Sequence, residues 1–466
     1  MLGKPFSPMK RFLSLVASVT LTVGCVGAQH SKACPAPDPV MRHDQQEDIG
    51  VFRSEFLAVD RAYSPSARAE AERRLSALER AAGSTPSASF AVEICRIVAL
   101  ANNGHSICYA PGEGVALSFS PLGNDFFVLK AGPEYADLLG ARLLAIDGRS
   151  IRRIRHAIRS VAGGVPAHRD LLSAPILAKP RLLYALGLTH SAQTATYRLE
   201  THDGRIVERQ LATDSHPSNW VSLQSEHAAW ASQDVNEAFR WRDAPELDAV
   251  VIQLRQNMDR GEHKIAAFLE EAEGGRERLG RKNVVLDMRW NVGGDFLQTR
   301  DFVLTWPQRL PPPGRFFVLI GPSTFSAGIA SVAYLKQAGQ DRVKLIGEPI
   351  GDRLMFFAEG NRPTRLPHSK IVVSASPQRD DFKDGCRPYN DCMVDLAQPG
   401  AAHATPPESL PPEKLAELER SGRKPLEIHS LEPDVPAPWI MQDFLTGRDP
   451  GIEAVAAMET RTRAND

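Results

Sequence analysis

The region from Asn283 to Glu348 constrains the fold of this chain more than any other. It contains three short apolar runs, with a glycine-rich turn after the first and a helix-forming segment after the second; the runs are 283–288, 316–320 and 343–347. Apolar runs that alternate with helices are typical of parallel strands joined by crossovers, and reactive residues in such sheets lie at the C-terminal ends of the strands. The sequence therefore predicts an α/β domain with its site at that edge.

Ser326 follows the second apolar run and precedes a predicted helix over 327–340. A serine in this position lies at the positive end of a helix, which favours a developing negative charge. Gly293 and Gly294 let the backbone approach a ligand closely, so that their N–H groups and that of Ala327 would form an oxyanion hole. The alternative is that Ser326 caps the helix and the glycines only form a tight turn. The first interpretation predicts acyl transfer.

The order and spacing of these motifs resemble those of the C-terminal processing and tricorn-type serine peptidases. The matching runs are Asp287-Met288-Arg289-Trp290-Asn291-Val292-Gly293-Gly294, Thr324-Phe325-Ser326-Ala327-Gly328 and Gly347-Glu348-Pro349. The resemblance spans roughly residues 95–456 and is strongest over 283–349. It implies a ClpP/crotonase-like α/β catalytic domain, Ser326 as the nucleophile of a serine peptidase, a protein or peptide substrate, and no cofactor or metal ion.

His105 is the general base that the resemblance implies. The tricorn-type branch has Asp-Gly-His just before a PDZ-like module, and this chain has Asn103-Gly104-His105-Ser106, with Asn103 in place of the aspartate. An isolated histidine is otherwise an ordinary loop or core residue. The resemblance thus favours a Ser-His pair over the Ser-Lys dyad of bacterial and plastid processing peptidases.

No lysine occupies the position that the dyad lysine has in those peptidases. That position is Gly351, next to Asp352 and Arg353, and arginine stays protonated and cannot act as a base. Lys336 and Lys344 lie nearer to the serine in sequence but do not match the motif.

Glu427 is the predicted third catalytic residue, which would orient the histidine. It opens the run Glu427-Ile428-His429-Ser430-Leu431-Glu432-Pro433-Asp434-Val435, which resembles a family pattern that has Gly at the position of Ser430. Asp384 and Glu359 remain alternatives because the preceding loop is long. A solvated surface glutamate is the ordinary interpretation.

The fold class that follows is mixed α/β with three parts after an N-terminal targeting segment. The predicted boundaries are a signal peptide over 1–28, a helical segment over 40–112, a PDZ-like module over 113–212 and a peptidase domain over 240–456 with an inserted loop at 377–423. A helical insert over 153–188 interrupts the PDZ-like module. Peptide binding by that module and a passive hinge role both remain open.

The N-terminus predicts export, because Lys10 and Arg11 precede a short apolar stretch and small residues. Two endings are open: cleavage before Gln29, or lipidation at Cys25 and an outer-membrane anchor. Cys95 with Cys108, and Cys386 with Cys392, predict two local disulfides, which an oxidising compartment permits; Cys34 is left over. A metal site at the second pair is the rival interpretation.

The chain of 466 residues is 42% hydrophobic, and its 55 basic and 56 acidic side chains give a net charge of -1. That balance does not favour nucleic acid or an anionic membrane as a partner. The predicted function is an exported serine endopeptidase of the bacterial periplasm or cell envelope. The alternative is a non-catalytic protein on the same fold that binds peptides or apolar ligands. The oligomeric state does not follow from the sequence.

Overall fold

The computed structural model describes residues 38–213, 217, 219–223, 228–359, 363–386, 413, 416, 417, 420 and 425–465. The predicted signal peptide, Cys25, Cys34, Cys392 and most of the predicted insert at 377–423 lie outside these residues. Over the described ranges, no helix combines the length and the apolar character needed to cross a bilayer. The predicted fold class is confirmed, since helices and strands are mixed along the chain.

The described chain opens with helices that pack around one apolar cluster. They are α1 (Pro39–Val51, continued by a π-helical turn Phe52–Leu57), α2 (Pro65–Arg80) and α3 (Ser87–Ala99). α2 begins after Ser64, whose Oγ accepts a hydrogen bond from the N–H of Ala67 at 3.2 Å. Proline at the first helical position suits this start, since it has no N–H to satisfy.

The predicted disulfide between Cys95 and Cys108 is present, with its Cα atoms 5.2 Å apart. It joins α3 to β1 (Ile107–Tyr109) and therefore restrains the intervening loop, which carries His105. Cys386 is also in a disulfide.

An antiparallel sheet with the order β2-β3-β4-β6-β7 forms the middle of the chain. Its strands are β2 (Leu117–Leu122), β3 (Asp125–Ala131), β4 (Arg142–Ile146), β5 (Arg149–Ser150, paired with β4), β6 (Thr194–Glu200), β7 (Ile206–Ala212) and β8 (Val221–Ser222, paired with β3). Alternate residues of β3 and β6 are buried, as expected for strands with one core face. The predicted helical insert lies between β5 and β6 as α4 (Ile151–Ile158), α5 (Pro166–Ser173) and α6 (Pro180–Ala185).

The predicted catalytic domain is built on a six-stranded sheet with the order β18-β13-β12-β11-β10-β9, parallel except for the edge strand β9. The strands are β9 (Phe239–Ala244), β10 (Ala249–Leu254), β11 (Asn283–Asp287), β12 (Phe316–Ile320), β13 (Val343–Gly347) and β18 (Val435–Pro436). Every residue of β10, β11 and β12 is buried, which explains their continuous apolar sequence.

Helices cover this sheet on both faces. One apolar cluster joins the sheet to α7 (Ile265–Arg278), α8 (Leu297–Arg309) and α9 (Ala327–Gly339). After the short α10 (Met441–Thr446), the last helix, α11 (Pro450–Asn465), packs against a second cluster on the other face. The parallel arrangement brings the loops after β11, β12 and β13 to one edge.

Short strands connect the N-terminal helices to the chain that follows β13. They are β14 (Met355–Ala358), β15 (Thr364–Arg365), β16 (Val372–Ser374) and β17 (Gln378–Asp381). β1 pairs antiparallel with β16, and β14 pairs with β17. Because β1 follows the His105 loop directly, this pairing brings that loop to the chain after β13.

Candidate active site

Ser326 lies at the turn between β12 and α9 with backbone angles φ 54° and ψ −125°. A non-glycine residue in such a region costs about 1–3 kcal/mol and persists only where its surroundings hold it. Thr324 supplies part of that support, because its Oγ1 donates to the carbonyl of Met288 at 2.8 Å and accepts from the N–H of Gly321 at 3.0 Å. The side chain of Ser326 makes no capping hydrogen bond to α9. Ser326 therefore occupies the cap position before α9 without its side chain capping the helix.

Gly293 lets the turn after β11 approach the serine. Its φ is +101°, and a Cβ at this position would lie 2.6 Å from the Cβ of Ser326 and 3.2 Å from the nitrogen of Ala327. Any side chain here would displace the serine or the start of α9. The glycine turn thus lies directly against Ser326 and Ala327.

The oxyanion donors can be assigned from the hydrogen bonds of this turn. The N–H of Gly293 already donates to Oδ1 of Asn291 at 3.0 Å. The N–H groups of Gly294 and Ala327 make no hydrogen bond within the described residues. Ala327 is buried, and a buried N–H is normally paired, whereas Gly294 is exposed and its N–H can be paired by solvent. Gly293 thus provides space in the turn, and the N–H groups of Gly294 and Ala327 are the ones open to a ligand.

A buried ion-pair network holds the strand end that leads into this turn. The guanidinium of Arg289 bonds Asp287 through two nitrogens at 2.9 Å and Asp449 through two at 2.8 Å. Burial alone would lower the pKa of Arg289, but the two carboxylates outweigh burial and raise it. Arg289 also lies 4.6 Å from the ring centroid of Trp439. The network fixes the turn to the loop before α11.

Asn103 explains how the loop of His105 is held. Its Oδ1 accepts from the N–H of Phe357 at 3.0 Å, and its Nδ2 donates to the carbonyl of Phe357 at 2.9 Å. The same Nδ2 lies 3.1 Å from Oγ of Ser106 and of Ser376. An aspartate could not donate to that carbonyl, so asparagine is the residue that fits here. The loop is thereby attached to β14.

The His105 ring lies against the residue that precedes the serine. Its centroid is 4.2 Å from that of Phe325 and 5.0 Å from that of Phe356, in stacked geometry. Only 14% of its side chain is exposed, and neither ring nitrogen has a hydrogen-bond partner. The structure thus brings His105 and Ser326 into one site, without a hydrogen bond between them.

The carboxylate next to His105 belongs to Asp352. Its Oδ2 lies 3.5 Å from Nδ1 of His105, and its side chain is fully buried. Gly104 permits this approach, because a Cβ there would lie 2.6 Å from that same oxygen. The sequence motifs did not indicate Asp352, although it is next to Gly351, which occupies the position of the dyad lysine.

The predicted third residue, Glu427, is not at the site. Its N–H bonds the side chain of Gln337 near the end of α9, about 16 Å along the helix from Ser326 at 1.5 Å per residue. Of the two alternatives, Glu359 and Asp384 are both exposed. The carboxylate next to the histidine is therefore that of Asp352, in the part of the chain that the pairing of β1 with β16 connects to the histidine loop.

The two lysines considered from the sequence also lie elsewhere. Lys336 Nζ bonds the carbonyl of Val343 at 2.8 Å, towards the far end of α9. Lys344 is the second residue of β13, at the end of the strand opposite to the serine turn.

His168 is a second functional candidate that the sequence did not indicate. It lies on α5 of the helical insert, stacks on Phe325 with ring centroids 4.2 Å apart, and has its Nε2 3.3 Å from the carbonyl oxygen of Gly104. Burial lowers the pKa of His168, and the nearby His105 lowers it further, against an opposing effect of Asp352. Both burial and His105 thus favour the neutral form of the His168 ring.

No protein-family model and no curated protein matches this chain. Among solved structures, it is similar to mature CPAF in complex with lactacystin, with a TM-score of 0.53 at 10% identity, covering 92% of this chain and 100% of that chain. Mature CPAF alone gives a TM-score of 0.51 at 11% identity, covering 90% and 97%. The photosystem II D1 C-terminal processing protease gives 0.34 at 13% identity, covering 88% and 98%. The two CPAF structures show that this chain shares their fold over most of its length.

Proposed function

We propose that this protein is a serine peptidase that cleaves polypeptides through an acyl-enzyme on Ser326. The observation that carries the proposal is the buried pair of His105 and Asp352 beside a serine held at positive φ. A strained residue in a folded protein is maintained by its surroundings, and such residues cluster at active sites. The similarity in fold to CPAF is consistent with this proposal.

The reaction follows from the groups present. His105 takes the hydroxyl proton of Ser326 as the serine oxygen bonds to the carbonyl carbon of the substrate. The N–H groups of Gly294 and Ala327 stabilise the resulting oxyanion, and Asp352 stabilises the imidazolium. The C–N bond then breaks as His105 gives its proton to the leaving amine. Water, activated by the same histidine, releases the acid product and restores the serine.

One rearrangement must precede this reaction. His105 has no hydrogen bond to Ser326 in the resting structure, and catalytic hydrogen bonds are often loose until substrate binds. We propose that substrate binding brings the imidazole from its stacked position to the serine hydroxyl. Movement of the domain that carries His105 would be one way to assemble the site.

The test is covalent labelling with a fluorophosphonate, which reacts with activated serines, followed by mass-spectrometric identification of the labelled peptide. The proteins to compare are the wild type, Ser326→Ala, His105→Ala and the matched control Ser323→Ala from the same loop. We expect labelling at Ser326 in the wild type and the control, and its loss in the other two variants. Labelling that survives in His105→Ala would overturn the assignment of the base.

A non-catalytic binding protein is the second candidate function. It is favoured by the missing hydrogen bond between His105 and Ser326. If folded wild type neither reacts with the fluorophosphonate nor cleaves a denatured protein substrate, the peptidase proposal fails, and the binding function is then tested by measuring peptide binding directly. Lactacystin, which is bound to mature CPAF in one of the similar structures, is one ligand to test for binding to this protein.

Export to the periplasm or cell envelope is also proposed, from the basic and apolar N-terminal segment. The mass of the mature N-terminus distinguishes the two endings. A chain that begins at Gln29 indicates ordinary cleavage, and an acylated Cys25 indicates a lipid anchor. A protein that keeps Met1 at its N-terminus when it is expressed in a bacterium with a cell envelope would contradict export.

A further inference from the structure

Four aromatic rings stack in succession at the proposed active site, and the first of them comes from the helical insert. The order is His168, Phe325, His105 and Phe356, with centroid separations of 4.2, 4.2 and 5.0 Å. The angle between the planes of His168 and Phe325 is only 9°. The residue before the nucleophile therefore lies against the proposed base and against His168.

The backbone of the insert also packs directly on the loop of His105. A Cβ at Gly163 would lie 2.5 Å from the carbonyl oxygen of Asn103, and one at Gly164 would lie 3.0 Å from the Cα of Gly104. His168 adds its contact to the carbonyl of Gly104 at 3.3 Å. These contacts meet the loop at the two residues immediately before the proposed base.

The insert itself is anchored to the antiparallel sheet. Asp170, on the same helix as His168, is almost fully buried and accepts hydrogen bonds from Arg155 and Arg159 of the preceding segment. Arg155 also donates to the carbonyl of Asn124, in the turn between β2 and β3, at 2.6 Å. A continuous set of contacts thus runs from that sheet through the insert to the loop of His105.

His168 is not placed to be the base itself. The contact of Nε2 with a carbonyl oxygen requires the proton on that nitrogen, and only 6% of the residue is exposed. His105 is more exposed, has both ring nitrogens unpaired, and is the histidine within 3.5 Å of Asp352.

We propose that His168 is a positioning residue: by stacking on Phe325 and donating to the carbonyl of Gly104, it holds the loop of His105 in place, so that only the imidazole has to move to reach Ser326. The helical insert is then part of the catalytic assembly, and contacts made by the antiparallel sheet act on the base through it. This inference rests on the proposed function for its effect on rate.

The test compares full-length wild type with His168→Ala, His168→Phe and the matched control His156→Ala, an exposed histidine on α4 of the same insert. The rate of fluorophosphonate labelling at Ser326 is measured alongside the unfolding midpoint. We expect His168→Ala to slow labelling by about 10–100-fold, since small misplacements of catalytic groups cost that much. His168→Phe, which keeps a ring against Phe325, should recover part of the rate, and the control should match the wild type.

Hydrogen–deuterium exchange of peptides that cover 102–106 provides a readout independent of activity. Exchange there should accelerate in His168→Ala and stay at the wild-type rate in the control. Wild-type labelling together with an unchanged rate in His168→Ala would overturn this inference alone. If the wild type is not labelled, the proposed function fails, and exchange of 102–106 decides whether His168 holds the loop. Unchanged exchange of these peptides in His168→Ala would then show that His168 does not hold the loop, and the inference would fail too.

Discussion

Replacing Asp352 with asparagine should lower kcat/KM by roughly a thousandfold. Oδ2 of Asp352 lies 3.5 Å from Nδ1 of His105, and its side chain is fully buried. At that separation and an effective dielectric constant of about 20, a carboxylate attracts an imidazolium by about 4–5 kcal/mol. Each 1.36 kcal/mol corresponds to about tenfold in rate, so the attraction accounts for about three powers of ten. The histidine is charged only after it has taken the serine proton, so the attraction acts on the transition state.

The substitution should leave the fold intact. Asparagine has nearly the volume of aspartate, and its Oδ1 can still accept the N–H of Arg353, which lies 2.9 Å from Oδ1 of Asp352. The assay is hydrolysis of a fluorogenic peptide, with the unfolding midpoint measured in parallel. Matched controls are Asp384→Asn and Glu427→Gln, which change the acids that the sequence had indicated. Both should retain wild-type activity.

The reasoning is refuted if Asp352→Asn keeps activity within about threefold of the wild type. The attraction between the Asp352 carboxylate and the His105 imidazolium would then contribute almost nothing to the rate. A large loss in Glu427→Gln, with Asp352→Asn unaffected, would restore the glutamate as the acid. A loss in Asp352→Asn that is matched by a lowered unfolding midpoint would show a structural role instead.

Three further perturbations follow from local geometry. Gly293→Ala would place a Cβ 2.6 Å from the Cβ of Ser326, at a backbone φ of +101° that alanine rarely adopts. The rate of fluorophosphonate labelling at Ser326 should therefore fall at least 100-fold, which is about the effect of losing one oxyanion donor. Replacing both cysteines of the Cys95–Cys108 disulfide, whose sequence separation is 13, should lower the free energy of unfolding by about 3 kcal/mol in denaturant titrations. The hydrogen bond that His368 donates to the carboxylate of Glu47 raises the pKa of His368, so the stability that this contact adds is present below pH 6.5 and is lost as pH rises through the raised value. Replacing His368 with glutamine should remove that part of the pH dependence of Tm.

Each of these predictions has a control or a contradicting result. Gly274→Ala lies on α7 with open space around it and should raise stability by about 0.5–1 kcal/mol, with labelling unchanged. Equal labelling in the Gly293 variant would remove the glycine turn from the site. His202→Gln, at an exposed histidine, should keep the wild-type pH dependence of Tm. Unchanged unfolding in the double cysteine variant would show that the disulfide does not constrain the unfolded chain.

The parts of the site that the sequence predicted are those set by local chain geometry. A buried strand, a turn and a helix start follow one another at Ser326, and the glycine turn follows β11 in the same way. Apolar periodicity and turn residues encode such units directly. The strands of the sheet and the insert between β5 and β6 were predictable for the same reason.

The acid was not predictable because its position depends on contacts between distant segments. Asp352 reaches His105 only because β1 pairs with β16 and Asn103 attaches the histidine loop to β14. Motif matching pointed instead to Glu427, which follows a long loop and packs near the end of α9. His168 was missed for a similar reason: an isolated histidine in a helical insert carries no pattern that relates it to a serine far along the chain.

The two sides of the site are held in different ways, and this determines which side must move. The serine and the oxyanion donors rest on strands buried along their whole length, whereas His105 sits in a loop fixed by side chains and one disulfide. Phe325 is covalently next to Ser326 and already contacts the ring of His105. A change in the position of one imidazole therefore suffices to form the missing hydrogen bond, and the rigid side need not change. It follows that residues holding the loop, above all His168 and Asn103, act on the rate through the position of the base.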